Sequence, residues 1–316
     1  MTEIHIDRVS RWFGNVVAVN DITMDIGPGV TGLLGPNGAG KSTLIHMMGG
    51  FLAPSNGSVT LEPTPGPDGS RTAAAPIWRN EDSYRHIGLV PEREGMYDFL
   101  TGREFVLANA ELHGLPDPRA AAAEALATVE MEYAQDRRIS TYSKGMRQRV
   151  KMASALVHHP SVLLLDEPFN GMDPRQRMQL MELLRRMGDE GRTVLFSSHI
   201  LEEVEQLASH IEVIVAGRHA ASGDFRKIRR LMTDRPHRYV VRSSDDRRLA
   251  AALIADASTA GIELDRTEDA LRIQAVDFTR FTTLLPRVAQ EHGIRLYTVS
   301  PSDESLESVF SYLVAA

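Results

Sequence analysis

The run Gly35-Pro36-Asn37-Gly38-Ala39-Gly40-Lys41-Ser42 has the spacing G-x-x-x-x-G-K-[ST]. Its glycines let the backbone curl so that successive N–H groups face one anion. A helix beginning at Lys41 would add its positive N-terminal end. Lys41 can then reach the β- and γ-phosphates of a nucleotide, and the Ser42 hydroxyl can ligate Mg²⁺. Thr43, next in the same helical turn, completes this candidate nucleotide-binding set. A second cluster is Val162-Leu163-Leu164-Leu165-Asp166-Glu167. A carboxylate at the end of an apolar strand is costly to bury without a charged partner, and a nucleotide-bound cation would supply one to Asp166. Glu167 stands one residue further on, where the chain turns at Pro168. That is a suitable place for a general base acting on an attacking water. Together these are the parts of a phosphoryl-transfer site.

Such a site needs a strand, a loop and a helix in that order. Residues 30–34 form a short apolar run ending in the glycine-rich turn, and 41–49 read as a helix stopped by Gly49-Gly50. The continuous apolar run 162–165 suits a central parallel strand covered on both faces. Alternation over 4–9 reads as an edge strand, and 87–90 and 193–197 as further strands. Residues 104–113, 120–133, 144–157 and 174–187 read as helices. Parallel strands alternating with helices predict an α/β domain. Residues 62–82, rich in Pro, Gly, Ala and Ser, read as a long surface loop.

The texture changes after residue 234. Residues 233–237 look like a linker. Then come a strand (239–242), a helix (247–259), strands (262–265 and 270–275), a helix (278–292) and a strand (294–299). That β-α-β-β-α-β order is the ferredoxin-like pattern of a small second domain. A last helix is expected over 305–314.

Composition bounds the function. The chain has 316 residues, 42% hydrophobic and 24% charged, ordinary for a globular protein. It has no cysteine, which excludes disulfides and thiolate metal sites. The N-terminus lacks an apolar signal segment, and the longest apolar stretches, 162–165 and 213–216, fall far short of the roughly 20 residues a membrane helix takes. Membrane association is therefore expected only through a partner. A net charge of −7 argues against a nucleic-acid partner. The basic run 226–230 reads as a solvated helix face near a domain boundary, with a contact to lipid headgroups or to a partner as the alternative.

Tyr142-Ser143-Lys144-Gly145-Met146-Arg147-Gln148-Arg149 resembles the signature motif of the ATP-binding cassette family, usually LSGGQ. It keeps the serine, the second glycine and a downstream glutamine, and has Lys144 in place of the first glycine. Further motifs follow in that family's order. Gly171-Met172-Asp173-Pro174 resembles the D-loop, and His199 resembles the switch histidine that contacts the γ-phosphate. Phe13 sits where the family stacks an aromatic ring on adenine, with Trp12 as the competing candidate; either could instead belong to the core. Val90-Pro91-Glu92 lies at the Q-loop, with Glu92 where glutamine is usual, and a carboxylate oxygen there can still serve Mg²⁺.

The resemblance covers about residues 3–225 and implies an export-type ATP-binding subunit. The implied fold is a P-loop NTPase cassette over 1–232, with a parallel sheet core, an antiparallel β part and a helical subdomain near 91–159. A ferredoxin-like α+β domain over 236–316 would be accessory or regulatory. The implied cofactors are ATP and Mg²⁺. Lys41, Glu167 and His199 are the implied catalytic residues, and Ser42, Glu92 and Asp166 the metal side. Phe13, the 35–43 loop, Ser143, Gly145, Gln148 and Asp173 would contact nucleotide. The implied assembly is a homodimer beneath polytopic membrane subunits, at the cytoplasmic face of the cell membrane. Two other readings remain at this stage: a soluble cassette ATPase acting on ribosomes or nucleic acid, and a nucleotide-gated module with little turnover. The apolar last helix suggests that the second domain supports the dimer.

Overall fold

The computed structural model describes residues 2–63, 74–93, 95–224, 236–265 and 270–302. The chain divides into two compact units, Met1–Ser222 and Gly223–Ala316. The division falls about ten residues before the expected boundary. The basic run 226–230, the linker residues 233–235 and the expected helix 305–314 lie outside the described residues.

The first unit holds two sheets. One comprises β1 (Thr2–Phe13), β2 (Val16–Ile26), β4 (Asn56–Pro63) and β5 (Ala75–Pro76), in the order β2-β1-β4-β5. β1 pairs antiparallel with both β2 and β4, so it is an interior strand and not the expected edge. Alternation in 4–9 reports one face on the core, where Ile4, Ile6 and Val9 are buried, and says nothing about neighbours. Part of the expected 62–82 loop is ordered too, since β5 lies within it and α2 (Glu81–Tyr84) begins there.

The second sheet has six strands in the order β10-β9-β3-β8-β7-β6. These are β3 (Gly29–Leu34), β6 (Ile87–Val90), β7 (Val162–Asp166), β8 (Thr193–Ser197), β9 (His210–Val215) and β10 (Arg218–Gly223). β9, β3, β8, β7 and β6 run parallel. Every residue of β7 and β8 is buried, as continuous apolar runs require when both faces are covered. The turn into β10 uses Ala216 and Gly217, both at positive φ, the conformation of a tight two-residue hairpin.

Among the described residues seven helices accompany these sheets: α1 (Lys41–Met48), α2, α3 (Gly102–Leu112), α4 (Pro118–Thr128), α5 (Lys144–Leu156), α6 (Pro174–Asp189) and α7 (Leu201–Leu207). α3, α4 and α5 pack on one another as the expected helical part. α3 opens with a capping box between Thr101 and Glu104, and Ser143 and Asp173 cap α5 and α6.

The second unit contains β11 (His237–Ser243), α8 (Asp246–Leu253), β12 (Thr259–Asp265), β13 (Ala270–Ala275), α9 (Phe278–Glu291) and β14 (Leu296–Pro301). Its sheet runs β12-β13-β11-β14 with antiparallel pairing throughout, the ferredoxin-like arrangement expected from the element order. Tyr239, Val241, Leu271 and Ile273 of the sheet meet Leu249, Leu253, Phe281 and Leu285 of the helices in one core.

Candidate functional site

The loop between β3 and α1 is shaped by close backbone approach. Gly40 has φ +103°, and a Cβ there would stand 2.3 Å from the Ala18 carbonyl oxygen. Only glycine satisfies both constraints. No side chain caps α1, and its first turn carries no acid, so its N–H groups and positive end remain for an anion. Lys41 folds back over the loop, and its Nζ donates to the carbonyls of Gly35 (2.8 Å) and Pro36 (3.3 Å). Burial lowers the Lys41 pKa, while the carboxylates of Glu167, Asp166 and Glu92 oppose that shift.

The opposite wall comes from the C-terminal ends of β7 and β8, the usual ligand edge of a parallel sheet. Asp166 is 1% exposed. Its Oδ1 accepts from Ser197 Oγ at 2.6 Å, and the same hydroxyl oxygen accepts from the Glu167 N–H at 3.0 Å. Glu167 leaves the strand in the left-handed region, φ +51°, which swings its carboxylate out of the sheet. His199 Nδ1 lies 2.8 Å from Glu167 Oε2. Burial raises the Glu167 pKa, and the bond to His199, its charge and that of Lys41 pull the other way. The result is a partly desolvated carboxyl, 12% exposed, held by an imidazole. Ser198 behind His199 donates to Glu203 Oε2 at 2.6 Å, and Glu203 pairs with Arg177 of α6 at 3.2 Å.

These walls enclose a cavity of about 360 Å³ lined by Asn37, Gly38, Ala39, Lys41, Ser42, Glu92, Asp166, Glu167 and His199. Six of the expected catalytic and metal-side residues therefore share one chamber. Gly35, Pro36, Gly40 and Thr43 belong to the same loop and helix start but are not among the lining residues. Phe13 and Trp12 are exposed at the β1–β2 turn, and the Arg11 guanidinium stands 4.8 Å from the Phe13 ring centroid. The core alternative for these aromatics is thereby set aside. Ser143, Gly145, Gln148 and Asp173 stand outside the chamber. Ser143 and Asp173 accept from the backbone N–H groups of Met146 and Gln176 as helix caps. Gln148 is only 6% exposed. It lies five residues after Ser143, about 140° around the helix, and so faces inward where Ser143 faces out.

The ABC transporter family model matches residues 19–170. The linearmycin resistance ATP-binding protein of Bacillus subtilis (strain 168) is 30% identical over 97% of this chain and 96% of its own length. The bacitracin transport ATP-binding protein of Enterococcus faecalis is likewise 30% identical, over 98% of this chain and 96% of its own. The chain belongs to the ABC transporter family. It is an ATP-binding subunit of that family and an ATPase. A solved ATP-binding subunit of an ABC transporter, 27% identical, superposes with a TM-score of 0.61 over 72% of this chain and 92% of that one. The solved cassette thus covers under three quarters of this chain, whereas the resistance and transport relatives match nearly all of it, both units included.

Within this ABC subunit the signature region and the D-loop lie against each other. A Cβ on Gly145 would meet Gln176 Oε1 of α6, and one on Gly171 would stand 2.9 Å from the Lys144 Cβ. Lys144, which departs from the family's usual glycine, thus packs over a glycine of the D-loop. Sequence reading missed Ser197, whose hydroxyl ties Asp166 to Glu167. Its one signal was a hydroxyl residue ending the apolar run Val194–Phe196.

Proposed function

We propose that this ATPase works as a homodimer at the cytoplasmic face of the cell membrane and powers export through separate polytopic membrane subunits. The observation that carries the reading is the division of the site. One chain gathers Lys41, Ser42, Glu92, Asp166, Glu167 and His199 in a single chamber, yet leaves Ser143 and Gly145 outside it. A second copy placed head to tail would bring its Ser143 and the α5 N-terminus to the γ-phosphate, completing the anion cradle. Asp173, in the D-loop, would lie across that dimer interface.

In this mechanism the 35–43 loop and Lys41 hold the phosphates, and Phe13 stacks on adenine with Trp12 beside it. Glu167 takes a proton from the attacking water, and His199 orients Glu167 and faces the γ-phosphate. The work is positioning plus electrostatic stabilisation of a loose phosphoryl-transfer transition state. Ser42, Glu92 and Asp166 offer hard oxygen donors that fit Mg²⁺. Among the described residues no cluster of three or more acidic or histidine groups could hold a metal alone. Ser42, Glu92 and Asp166 would hold the cation beside the bound nucleotide. When bound, it neutralises charge on the transferred group.

Export is supported by the full-length likeness to proteins named for linearmycin resistance and bacitracin transport. An antibiotic-like compound is the proposed cargo. No described helix is long and apolar enough to cross a membrane. A docking place for a membrane subunit is supplied by a groove of about 400 Å³ between Gly49-Gly50-Phe51 and α3 and α5, where Phe51 is 72% exposed. Residues 236–316 serve as an accessory domain that supports the dimer. The test is recovery of the tagged protein from native membranes with ATPase assayed in the complex. A polytopic membrane protein with Glu167-dependent hydrolysis is the expected result. Ribosomes or nucleic acid in its place would overturn the transport reading.

A further inference from the structure

Lys151 lies on α5, eight residues after Ser143, and is only 5% exposed. Its Nζ donates to three successive carbonyls: Pro91 at 3.0 Å, Glu92 at 3.2 Å and Arg93 at 3.3 Å. An ammonium has three donors, and a buried one is tolerated only when they are satisfied. Three consecutive carbonyl oxygens can converge on one point only if the backbone wraps around it. The segment that wraps leaves β6 at Val90 and carries Glu92 into the phosphate chamber. The loop is therefore held from behind by Lys151 while Glu92 lines the chamber with Lys41, Ser42 and Asp166, close enough for its charge to act on Lys41.

The same helix begins at Ser143, whose hydroxyl caps it. Eight residues of α-helix span about 12 Å, a short rigid strut. A shift of α5 at its signature end is thus transmitted to the carbonyls that set the direction of Glu92.

We propose that Lys151 is the positioning residue for Glu92, fixing the 91–93 backbone so that the Glu92 carboxylate meets the nucleotide's metal, and linking that contact to the placement of the signature helix. This rests on the reading of Glu92 as a metal-side residue. Removing a group that orients a metal ligand costs about 10–100-fold in metal affinity. Lys151→Met keeps the unbranched apolar stem and removes the ammonium with its donors.

The experiment titrates the full-length protein with a fluorescent ATP analogue, once in EDTA and once with Mn²⁺, whose binding is followed separately by EPR. Lys151→Met is expected to weaken Mn²⁺-dependent binding at least tenfold and to leave binding in EDTA within about twofold. Glu92→Gln should give a similar selective loss, and the double variant should lose no more than either alone. Amide exchange at residues 92 and 93 should speed at least tenfold in Lys151→Met without nucleotide. Equal weakening in EDTA and Mn²⁺, or losses that add in the double variant, would overturn the proposal. A Glu92→Gln effect that Lys151→Met fails to reproduce rejects Lys151 alone. No metal effect from Glu92→Gln rejects the reading of Glu92, and with it the role given to Lys151. Should Lys151→Met fail to fold, Lys151→Gln, whose shorter side chain and two donors cannot satisfy all three carbonyls, replaces it with the same selective loss expected.

Discussion

Replacing Glu167 by glutamine separates binding from chemistry more cleanly than any other change in the chamber. The substitution preserves shape, and an amide oxygen can still accept from His199 Nδ1, now 2.8 Å from Glu167 Oε2. The Glu167 backbone bond to Ser197 and the φ of +51° do not depend on the carboxylate. What disappears is a base whose pKa burial has raised, and hence a stronger proton acceptor than an exposed carboxylate. Loss of general-base assistance is worth about 10²–10⁴ in turnover, or about 3–5 kcal/mol on the barrier. Nucleotide affinity should hold or rise, because one negative charge leaves a chamber that also contains Asp166 and Glu92. Steady-state phosphate release and fluorescent-nucleotide binding, measured on one preparation, read the two effects separately. Self-association followed by light scattering should persist in ATP and no longer decay. The wild-type acid limb, set by protonation of the carboxyl above its ordinary value, should vanish in the variant. Turnover within threefold of wild type would remove Glu167 from the role of base. Joint loss of binding and turnover would show that the carboxylate holds the chamber together.

Two further outcomes follow from single side chains. Ser197→Ala strands the Glu167 N–H and removes a donor from Asp166 in a fully buried setting, costing about 1–3 kcal/mol. The melting point should fall by several degrees and hydrolysis with it, and unchanged phosphate release would show that the two acids need no tie. His158 is held at a pKa of about 4, first by burial and then by His113, whose ring stacks on it at 3.8 Å. Because the unfolded chain takes up that proton near 6.5, stability should fall as pH drops from about 6.5 to 4. Discounted for the partial exposure of the ring, the loss is on the order of 1–2 kcal/mol. The difference between wild-type and His158→Gln melting curves across that window isolates it, since His5 and His219, whose pKa values are raised, titrate in both. Parallel curves would refute it.

Much of the chamber was legible because its pieces are local in sequence. The glycine loop and α1 are contiguous, and Asp166-Glu167 ends a strand whose apolar run announces burial on both faces. What escaped is what register alone creates. Asp166 lies opposite Ser197 in the parallel pairing of β7 with β8, thirty-one residues away, and no local pattern reports that. Lys151 likewise meets 91–93 across almost sixty residues. The alternation of β1 suggests an edge strand only because alternation describes faces and not neighbours. The expected 120–133 helix stops at Thr128, since Glu130 takes φ +55° and a 3₁₀ turn over Glu132–Ala134 follows. The expected 247–259 helix ends at Leu253, where the Asp256 carboxylate captures the Ser258 N–H and turns the chain into β12.

The departure from LSGGQ is resolved by the same close packing. A lysine in place of the first signature glycine adds a long side chain at the start of α5, where an anion-facing helix end should stay open. The structure places that side chain over Gly171, where even a methyl group would stand 2.9 Å from the Lys144 Cβ. Glycine in the D-loop is therefore the condition under which lysine in the signature is accommodated. The reciprocal contact, Gln176 of α6 over Gly145, closes the other side. Two helix starts, each capped by its own serine or aspartate, are thus locked to each other rather than to the chamber that holds Lys41. A unit built this way carries Ser143 and Asp173 together, and in the proposed dimer the two would approach the second chain as one body.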